Sequence, residues 1–349
     1  MTPVGGHRPR LREFDYLRAV AIVIIVISHS YRPWAINGFG EVLVANILTG
    51  GTALFVFVAG FFFAWIDLPN FDYGKFLLKK SRNVVAPFFI IASTFFAWWI
   101  AMESPAPAAG SSRLVQVAGF PGALWRGEVP HGPQLWYIPF IALLFLSSPL
   151  FVRYARWSPR TRGAVMLGLF AISLLIHRSE GNASPLQSAL YFAPVYLAGV
   201  NFSLDRPQLD PWLTGKAIPL GLGVLFVAAL HTVLAERGNF YKAPWIWGGI
   251  DLMLVQKVFL IPLLYFACRR LRNRVLPGLK LLADASFCIF FLHWAVIDAV
   301  WSTGVVQQLP ITGLGQAALL SISGVYASVG AGYAVRRLAG AHSRLLIGW

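Results

Sequence analysis

The chain has 349 residues, of which 57% are hydrophobic and only 12% are charged, and its mean hydropathy is +0.64. A soluble domain carries about 25% charged residues, so this composition excludes a soluble globular protein and predicts a polytopic membrane protein. The net charge of +15 is compatible with nucleic-acid binding, but the positions of the basic residues favour membrane topology as its cause.

Ten apolar stretches approach the roughly 20 residues that a helix needs to cross a bilayer. In chain order they cover about residues 15–31, 48–66, 84–102, 133–152, 163–177, 187–203, 217–235, 249–268, 281–303 and 314–335. The longest connection, about 103–132, is rich in Pro, Gly and Ser near its start, which is typical of a loop. We therefore predict an all-α membrane bundle of about ten transmembrane helices around a polar cavity.

The basic residues are distributed asymmetrically between the predicted loops. With the N-terminus inside, 21 of the 29 Lys and Arg residues fall in cytoplasmic segments and six fall in outer loops. This is the positive-inside pattern, and it predicts that both termini are cytoplasmic. The predicted organisation is a basic N-terminal segment (1–14), a transmembrane domain (15–335) and a short cytoplasmic tail (336–349), in a lipid bilayer and without a nucleic-acid partner.

Arg18 and His29 lie on the first apolar stretch, separated by ten mostly aliphatic residues. Ionisable groups inside a membrane helix are costly and usually functional. Eleven steps of about 100° make three turns plus roughly 20°, so the two side chains share one helix face, roughly 16 Å apart along the axis. One end of this face is suited to an anionic carrier, and the other is suited to proton chemistry.

Five short segments resemble the landmarks of one protein family, in that family's order. They are Asp15-x-x-Arg18 followed by His29; Leu54–Phe61, with Ala59 where the family usually has Ser; Lys79-x-x-Arg82 before Pro87; Leu135-Trp136-Tyr137-Ile138-Pro139; and Ser286-Phe287 followed by Leu292-His293-Trp294. Over about residues 11–300 the chain therefore resembles the acyltransferase-3 family of integral membrane acyltransferases.

The resemblance implies transfer of an acyl group, usually acetyl, from cytosolic acyl-CoA to a hydroxyl of a cell-envelope glycan. Acetyl-CoA is then the expected donor, and the bacterial cytoplasmic (inner) membrane is the expected location. Transfer of succinyl or another acyl group stays open, as does the choice between direct transfer and an acyl-enzyme. An exporter of a lipid-linked or polymeric glycan is the alternative from another class, since polar residues at the membrane midplane also suit substrate passage.

His29 and Arg18 are the central site candidates. An imidazole can act as a general base near neutral pH, so His29 is predicted to take the proton of the attacking hydroxyl; a structural histidine between helices is the alternative. A guanidinium binds phosphate bidentately, so Arg18 is predicted to contact CoA. A salt bridge to Asp15, one turn away, is the alternative for Arg18, and Asp15 is interpreted mainly as the residue that orients it.

Further candidates lie at the two mouths of the bundle. Lys79, Lys80 and Arg82 are predicted at the cytoplasmic mouth, where they suit the phosphates of CoA, although ordinary positive-inside anchoring explains most such clusters. Trp136 and His131 are predicted at the outer mouth as acceptor-binding residues. Aromatic side chains there stack on sugars or belong to the interfacial belt, and both readings stay open for Trp136.

Four other polar residues fall inside predicted spans. Ser286 and His293 are seven residues apart and share a helix face, so they are predicted to support the site by hydrogen bonds across the bundle. Lys257 requires a partner inside the bilayer, and Asp284 is our hypothesis for it. The sequence has no metal-binding motif, no Gly-rich phosphate loop and no nucleophile elbow, so no metal is expected.

Overall fold

Helices make up almost all the regular structure of the computed structural model, which describes residues 10–31, 38–103, 113–234, 238–239, 241–244 and 246–349. Within those ranges the β structure is one isolated bridge between Arg178 and Tyr241. The first helices are α1 (Arg12–His29), α2 (Phe39–Leu48), α3 (Gly51–Phe62), α4 (Tyr73–Lys80), α5 (Ala86–Met102), α6 (Arg113–Ala118), α7 (Phe120–Arg126), α8 (Tyr137–Leu146) and α9 (Ser148–Ala155). The predicted all-α fold class is confirmed.

The second part of the chain continues in the same way. Its helices are α10 (Pro159–Ile176), α11 (Pro185–Leu204), α12 (Arg206–Leu213), α13 (Ala217–Val233), α14 (Leu252–Arg270), α15 (Pro277–Asp284), α16 (Ser286–Ser302), α17 (Val305–Gln308), α18 (Gly313–Ala339) and α19 (Ser343–Ile347). Short 3₁₀ turns at Pro133–Trp136 and Glu180–Asn182 precede α8 and α11.

The number of membrane crossings differs from the predicted ten. Among the described residues five helical segments, two of which contain a short break, are long and apolar enough to cross a bilayer: Phe39–Asn70, Tyr73–Met102, Pro159–Ile176, Leu252–Arg270 and Gly313–Ile347. Three bent pairs raise the number to at most eight, namely α8 with α9 (54°), α12 with α13 (82°) and α15 with α16 (78°). The count of about ten is therefore not confirmed by apolar length alone.

Helix α1 lies in the interior of the protein, and it does not qualify as an apolar span because it carries four charged residues, Arg12, Glu13, Asp15 and Arg18. It packs against α3, α14, α15, α16 and α18, and Phe14 and Leu17 are completely buried. Its polar residues contact protein instead of lipid; Glu13, for example, accepts a hydrogen bond from the Arg206 guanidinium. A helix enclosed by other helices needs no lipid-compatible surface, so it can carry the charges that a site requires.

Two breaks in the helices shape the interior. Between α2 and α3 the chain passes through Thr49 in an extended conformation and Gly50 at φ +91°, a left-handed conformation that favours glycine. Between α15 and α16 the chain bends at Ala285. Non-helical backbone at membrane depth is tolerated where protein buries it or where it lines a cavity, and both breaks lie beside the cavities described below.

The C-terminal residues fold back onto the bundle. Helix α18 extends to Ala339, beyond the predicted end of the span at 335, and α19 then packs against α5 and α16. The ring of Trp349 contacts Tyr333 and the Arg336 guanidinium. This arrangement brings the basic residues of the predicted cytoplasmic tail to the wall of the bundle.

Candidate active site

Two cavities enter the bundle and meet at one residue. The cavity that we call the inner cavity has a volume of about 530 Å³, and its wall includes Arg18 and Lys80. The outer cavity has a volume of about 310 Å³, and its wall includes His29 and Trp136. Tyr137 lines both cavities, so it stands where the basic compartment adjoins the compartment of His29.

His29 and His293 form a hydrogen-bonded pair. The Nδ1 atom of His29 lies 2.7 Å from Nε2 of His293, and Nδ1 of His293 lies 2.8 Å from the carbonyl oxygen of Ile289. A carbonyl oxygen only accepts, so Nδ1 of His293 carries the hydrogen, and Nε2 of the neutral ring accepts from Nδ1 of His29. This pattern assigns the lone pair of neutral His29 to Nε2, the nitrogen that a general base would use.

The His29 ring is held on two further sides. Its plane is nearly parallel to that of His293, with an angle of 7° between the rings, and Trp294 meets it edge to face at 5.4 Å between centroids. His293 is completely buried, whereas His29 is half-buried and lines the outer cavity. Because His29 lines the outer cavity and His293 does not, His29 is the member of the pair that a ligand in this cavity can contact.

Arg18 is anchored at the break between α15 and α16. Its Nη2 atom donates to the carbonyl oxygen of Ala283 at 2.8 Å and to Oγ of Ser286 at 2.9 Å. Ala283 lies in the last turn of α15, where carbonyls lack helical partners and a cation is favourable. These contacts hold the guanidinium in the wall of the inner cavity.

The predicted pairing of Asp15 with Arg18 is wrong. Asp15 instead pairs with Arg10 at 2.5 Å, and the Arg10 guanidinium also reaches Asp284 at 2.7 Å. The reason is that Arg18 extends towards the helix break, away from its neighbour on α1. The hydrogen bond to Asp15 raises the pKa of Arg10 above its ordinary value. Because Arg10 also contacts Asp284, it links the start of α1 to the end of α15.

The inner cavity carries more positive charge than the sequence predicts. Besides Arg18, Lys79 and Lys80, its wall contains Arg336 from α18 and Arg344 from α19, with Asp284 as the acidic residue. Arg336 and Arg344 were interpreted from the sequence only as basic residues of a cytoplasmic tail. Only the return of α19 onto α5 reveals that they face the same space as Lys80.

The three basic residues around α4 are placed differently from one another. Lys79 and Lys80 line the inner cavity and share Asp67, at 3.0 and 3.7 Å. The Lys80 ammonium also lies 5.1 Å from the ring centroid of Phe76. Arg82 instead lines a neighbouring cavity of about 420 Å³ that also contains Lys75, Lys79 and Arg344.

The two predicted acceptor-binding residues are separated in the structure. Trp136 lines the outer cavity together with His29, and it stacks on Phe140 at 5.3 Å. His131 does not line that cavity; its ring nitrogens lie 3.0 Å from Glu103 and 3.5 Å from Asp298. The role predicted for each stays a prediction, but the geometry brings only Trp136 to His29.

Lys257 has no acidic partner at Asp284, so that hypothesis is wrong. Its ammonium donates to the carbonyl oxygen of Thr49 at 2.6 Å and to Oε1 of Gln256 at 2.5 Å. Asp284 is engaged by Arg10 and Lys280. The Lys257 side chain packs directly against Gly50, so it supports the break between α2 and α3 that forms part of the outer cavity wall.

Comparisons of the sequence with known proteins identify its family. Residues 11–333 match the family model described as an acyltransferase domain. The chain is 24% identical over 305 residues to the succinoglycan biosynthesis protein ExoH of Rhizobium meliloti (strain 1021), which covers 82% of this chain and 78% of that protein. No solved structure gives a significant match.

Proposed function

Since this chain belongs to the acyltransferase-3 family of membrane proteins, we propose that it moves an acyl group from cytosolic acyl-CoA to a hydroxyl of a cell-envelope glycan, across the bacterial inner membrane. The observation that carries the proposal is the meeting of two unlike cavities at Tyr137. One cavity is rich in cations that suit phosphates, and the other presents a histidine.

The inner cavity is suited to the phosphate-bearing end of CoA. Arg18, Lys80 and Arg344 come from three separated parts of the chain and converge on it. Guanidinium and ammonium groups form charge-assisted hydrogen bonds with phosphate oxygens. The pantetheine arm would extend past Tyr137, so that the thioester reaches His29, roughly 16 Å from Arg18 along α1.

The tautomer of His29 leaves the lone pair of Nε2 available, and the proposed transfer step uses this atom as the base. Nε2 of His29 accepts the proton of the acceptor hydroxyl while the hydroxyl oxygen attacks the thioester carbonyl. The tetrahedral intermediate then breaks its carbon–sulfur bond, and the CoA sulfur leaves with the proton that His29 returns. His293 stabilises the charged imidazole, since its Nε2 accepts from Nδ1 of His29. A transient acyl-enzyme would use the same base.

The acceptor is proposed to be a glycan because the relative ExoH is a protein of succinoglycan biosynthesis. Trp136 lines the outer cavity but stacks on Phe140 and lies against the Arg178 guanidinium, so it shapes the wall and offers no free ring face to a sugar. Acetyl is the proposed acyl group from the family resemblance, and succinyl is the alternative. A general base typically contributes about 10²- to 10⁴-fold to rate, which sets the size of the expected effect.

The test is transfer of labelled acyl groups from acetyl-CoA and succinyl-CoA to envelope glycans in membranes. We expect His29→Ala to lower the rate by about 10²- to 10⁴-fold at equal protein level. Ser302→Ala, at the exposed end of α16, is the matched control and keeps wild-type activity. Equal labelling by wild type and His29→Ala would refute the role of His29, whereas altered glycan export without any labelling would favour an exporter.

A further inference from the structure

Arg178 is the only residue with a fixed charge among the described residues that line the outer cavity. The other described residues of that wall include polar, aromatic, aliphatic, glycine and proline residues, and none of them is Asp or Glu. In the sequence Arg178 lies between the predicted spans 163–177 and 187–203, which indicates only a basic residue of an outer loop. The structure instead places it inside the compartment that contains His29.

The Arg178 guanidinium is buried without a carboxylate partner in the described part of the chain. Only 4% of the residue is exposed, yet no acidic oxygen there lies within the 4.0 Å of an ion pair. Its Nε and Nη2 atoms both donate to Oδ1 of Asn182, at 3.1 and 2.8 Å. The nearby Asp251 carboxylate does not contact Arg178; its oxygens accept instead from the Tyr191 hydroxyl at 2.8 Å and from the backbone N–H of Leu254 at 2.9 Å.

Aromatic rings hold this cation in place. The guanidinium carbon lies 4.5 Å from the ring centroid of Trp136, 5.1 Å from that of Tyr241 and 5.9 Å from that of Phe192. Such contacts partly replace hydration, but they do not neutralise the charge. The buried Asp251 carboxylate interacts with Arg178 at longer range but forms no contact ion pair with it. A buried guanidinium without a carboxylate in contact is costly, so the site favours an anionic ligand.

A second feature of the same wall favours negative charge. The outer cavity is lined by Gly50, Gly51 and Thr52, at the N-terminus of α3. The first N–H groups of a helix lack partners within the helix, and the helix dipole is positive at this end. The cavity therefore combines a buried guanidinium with a helix N-terminus, and both act on a ligand that lies beside His29.

We propose that the outer cavity takes a substrate bearing a carboxylate, which Arg178 binds while the reacting carbonyl lies at His29. This inference rests on the proposed function and deepens it by naming the substrate class. Two sources present this chemistry: the distal carboxylate of a dicarboxylic acyl group such as succinyl, or the carboxylate of an acidic sugar in the acceptor. Arg178 is then a specificity-determining residue for charge, whereas His29 acts on the reacting bond.

The transfer experiment crosses two donors with two acceptors. Membranes carrying wild type, Arg178→Gln, Arg178→Lys or Arg126→Gln receive acetyl-CoA or succinyl-CoA, with a neutral or a uronate-containing glycan. Arg126 is the control because it lies on the exposed α7 and pairs with Glu128. We expect Arg178→Gln to lower by about 10- to 100-fold only the reactions that contain the recognised carboxylate, and Arg178→Lys to restore part of the loss.

The pattern of losses identifies the source of the carboxylate. A fall confined to succinyl-CoA, with either acceptor, assigns it to the acyl group. A fall confined to the acidic glycan, with either donor, assigns it to the acceptor. An equal fall in all four reactions, or no fall in any of them, overturns the proposal, because a purely structural arginine does not distinguish substrates by charge.

A binding measurement tests the carboxylate site independently of acyl transfer. The purified protein is titrated with monomethyl succinate and glucuronate, and with dimethyl succinate and glucose as uncharged counterparts, while its melting temperature is followed. We expect only the two carboxylates to stabilise the wild type, and Arg178→Gln to abolish that stabilisation. If the wild type transfers no acyl group from either donor, the proposed function fails and this binding result alone decides the inference: no selective stabilisation overturns it.

Discussion

The hydrogen bonds around His29 determine which histidine of the pair donates and which accepts. Because Nδ1 of His293 must donate to the Ile289 carbonyl, its Nε2 can only accept, and the free lone pair of His29 is thereby assigned to Nε2. His293 is a positioning residue in this arrangement, since it acts through His29. Its contribution can be separated from substrate binding by kinetics.

We predict that His293→Phe lowers kcat by about 10- to 100-fold and leaves KM for acyl-CoA nearly unchanged. Partners that orient a reactive imidazole typically contribute effects of this size. His293→Gln should recover part of the rate, because an amide oxygen can accept from Nδ1 of His29. Steady-state kinetics in membranes measure both constants, and a variant that raises KM with an unchanged kcat would contradict a positioning role.

Arg344 provides a test of the inner cavity at the residue scale. It comes from α19 and lines the same cavity as Arg18 and Lys80. We predict that Arg344→Gln raises KM for acyl-CoA about three- to tenfold, a modest effect because the side chain is solvent-exposed. Arg337→Gln is the matched control, since Arg337 does not line that cavity. Equal KM values for the two variants would show that α19 does not contribute to the donor site.

At the scale of elements, close contact between α3 and α11 supports the site. A Cβ atom on Gly60 would lie 2.0 Å from the carbonyl oxygen of Tyr196, and one on Gly199 would lie 2.1 Å from that of Phe57. Small residues allow membrane helices to approach each other in this way. Because both opposing atoms are backbone, neither helix can yield locally.

We predict that Gly60→Ala destabilises the protein by about 2 kcal/mol or more, since overpacking of rigid atoms costs about 1–3 kcal/mol. Gly168→Ala is the control: it lies within α10, and no atom lies within 4 Å of the Cβ position. That substitution should be neutral or slightly stabilising. Thermal unfolding of the solubilised variants measures the difference, and equal melting temperatures would show that the contact is looser than the structure indicates.

Two breaks between helices also determine the geometry of the site. The break between α15 and α16 provides the carbonyl and hydroxyl that hold Arg18, and the break between α2 and α3 opens the wall of the outer cavity near His29. Lys257 stabilises the second break by its bond to the Thr49 carbonyl. The site therefore depends on interrupted helices at both ends of α1.

At the scale of the whole molecule, the proposal requires the two cavities to open towards opposite sides of the membrane. We predict that Lys75→Cys reacts with a membrane-impermeant maleimide only from the cytoplasmic side, and Arg126→Cys only from the outer side. Both side chains are well exposed, at 87% and 49%. The native Cys268 and Cys288 are buried, so the wild type should give little background. Labelling of both variants from the same side would contradict the topology.

Several properties of this protein were predictable from its sequence because they depend on local composition and spacing. Hydropathy predicted the all-α membrane class, and helical periodicity placed Arg18 and His29 on one face. The number of spans was less predictable, because α1 is shielded by protein and carries charges, while α8 with α9 and α15 with α16 bend within one apolar stretch. Apolar length alone cannot distinguish a straight span from a bent one.

The tertiary structure alone decided which distant residues meet. His293 reaches His29 across 264 positions of the chain, Arg344 joins Arg18 in the inner cavity, and Arg178 enters the outer cavity beside Trp136. It also directed Arg18 to Ser286, although Asp15 is closer along the helix. The physical reason is that hydropathy and periodicity describe one helix at a time, whereas partners, buried charges and cavities arise from the packing of helices against one another.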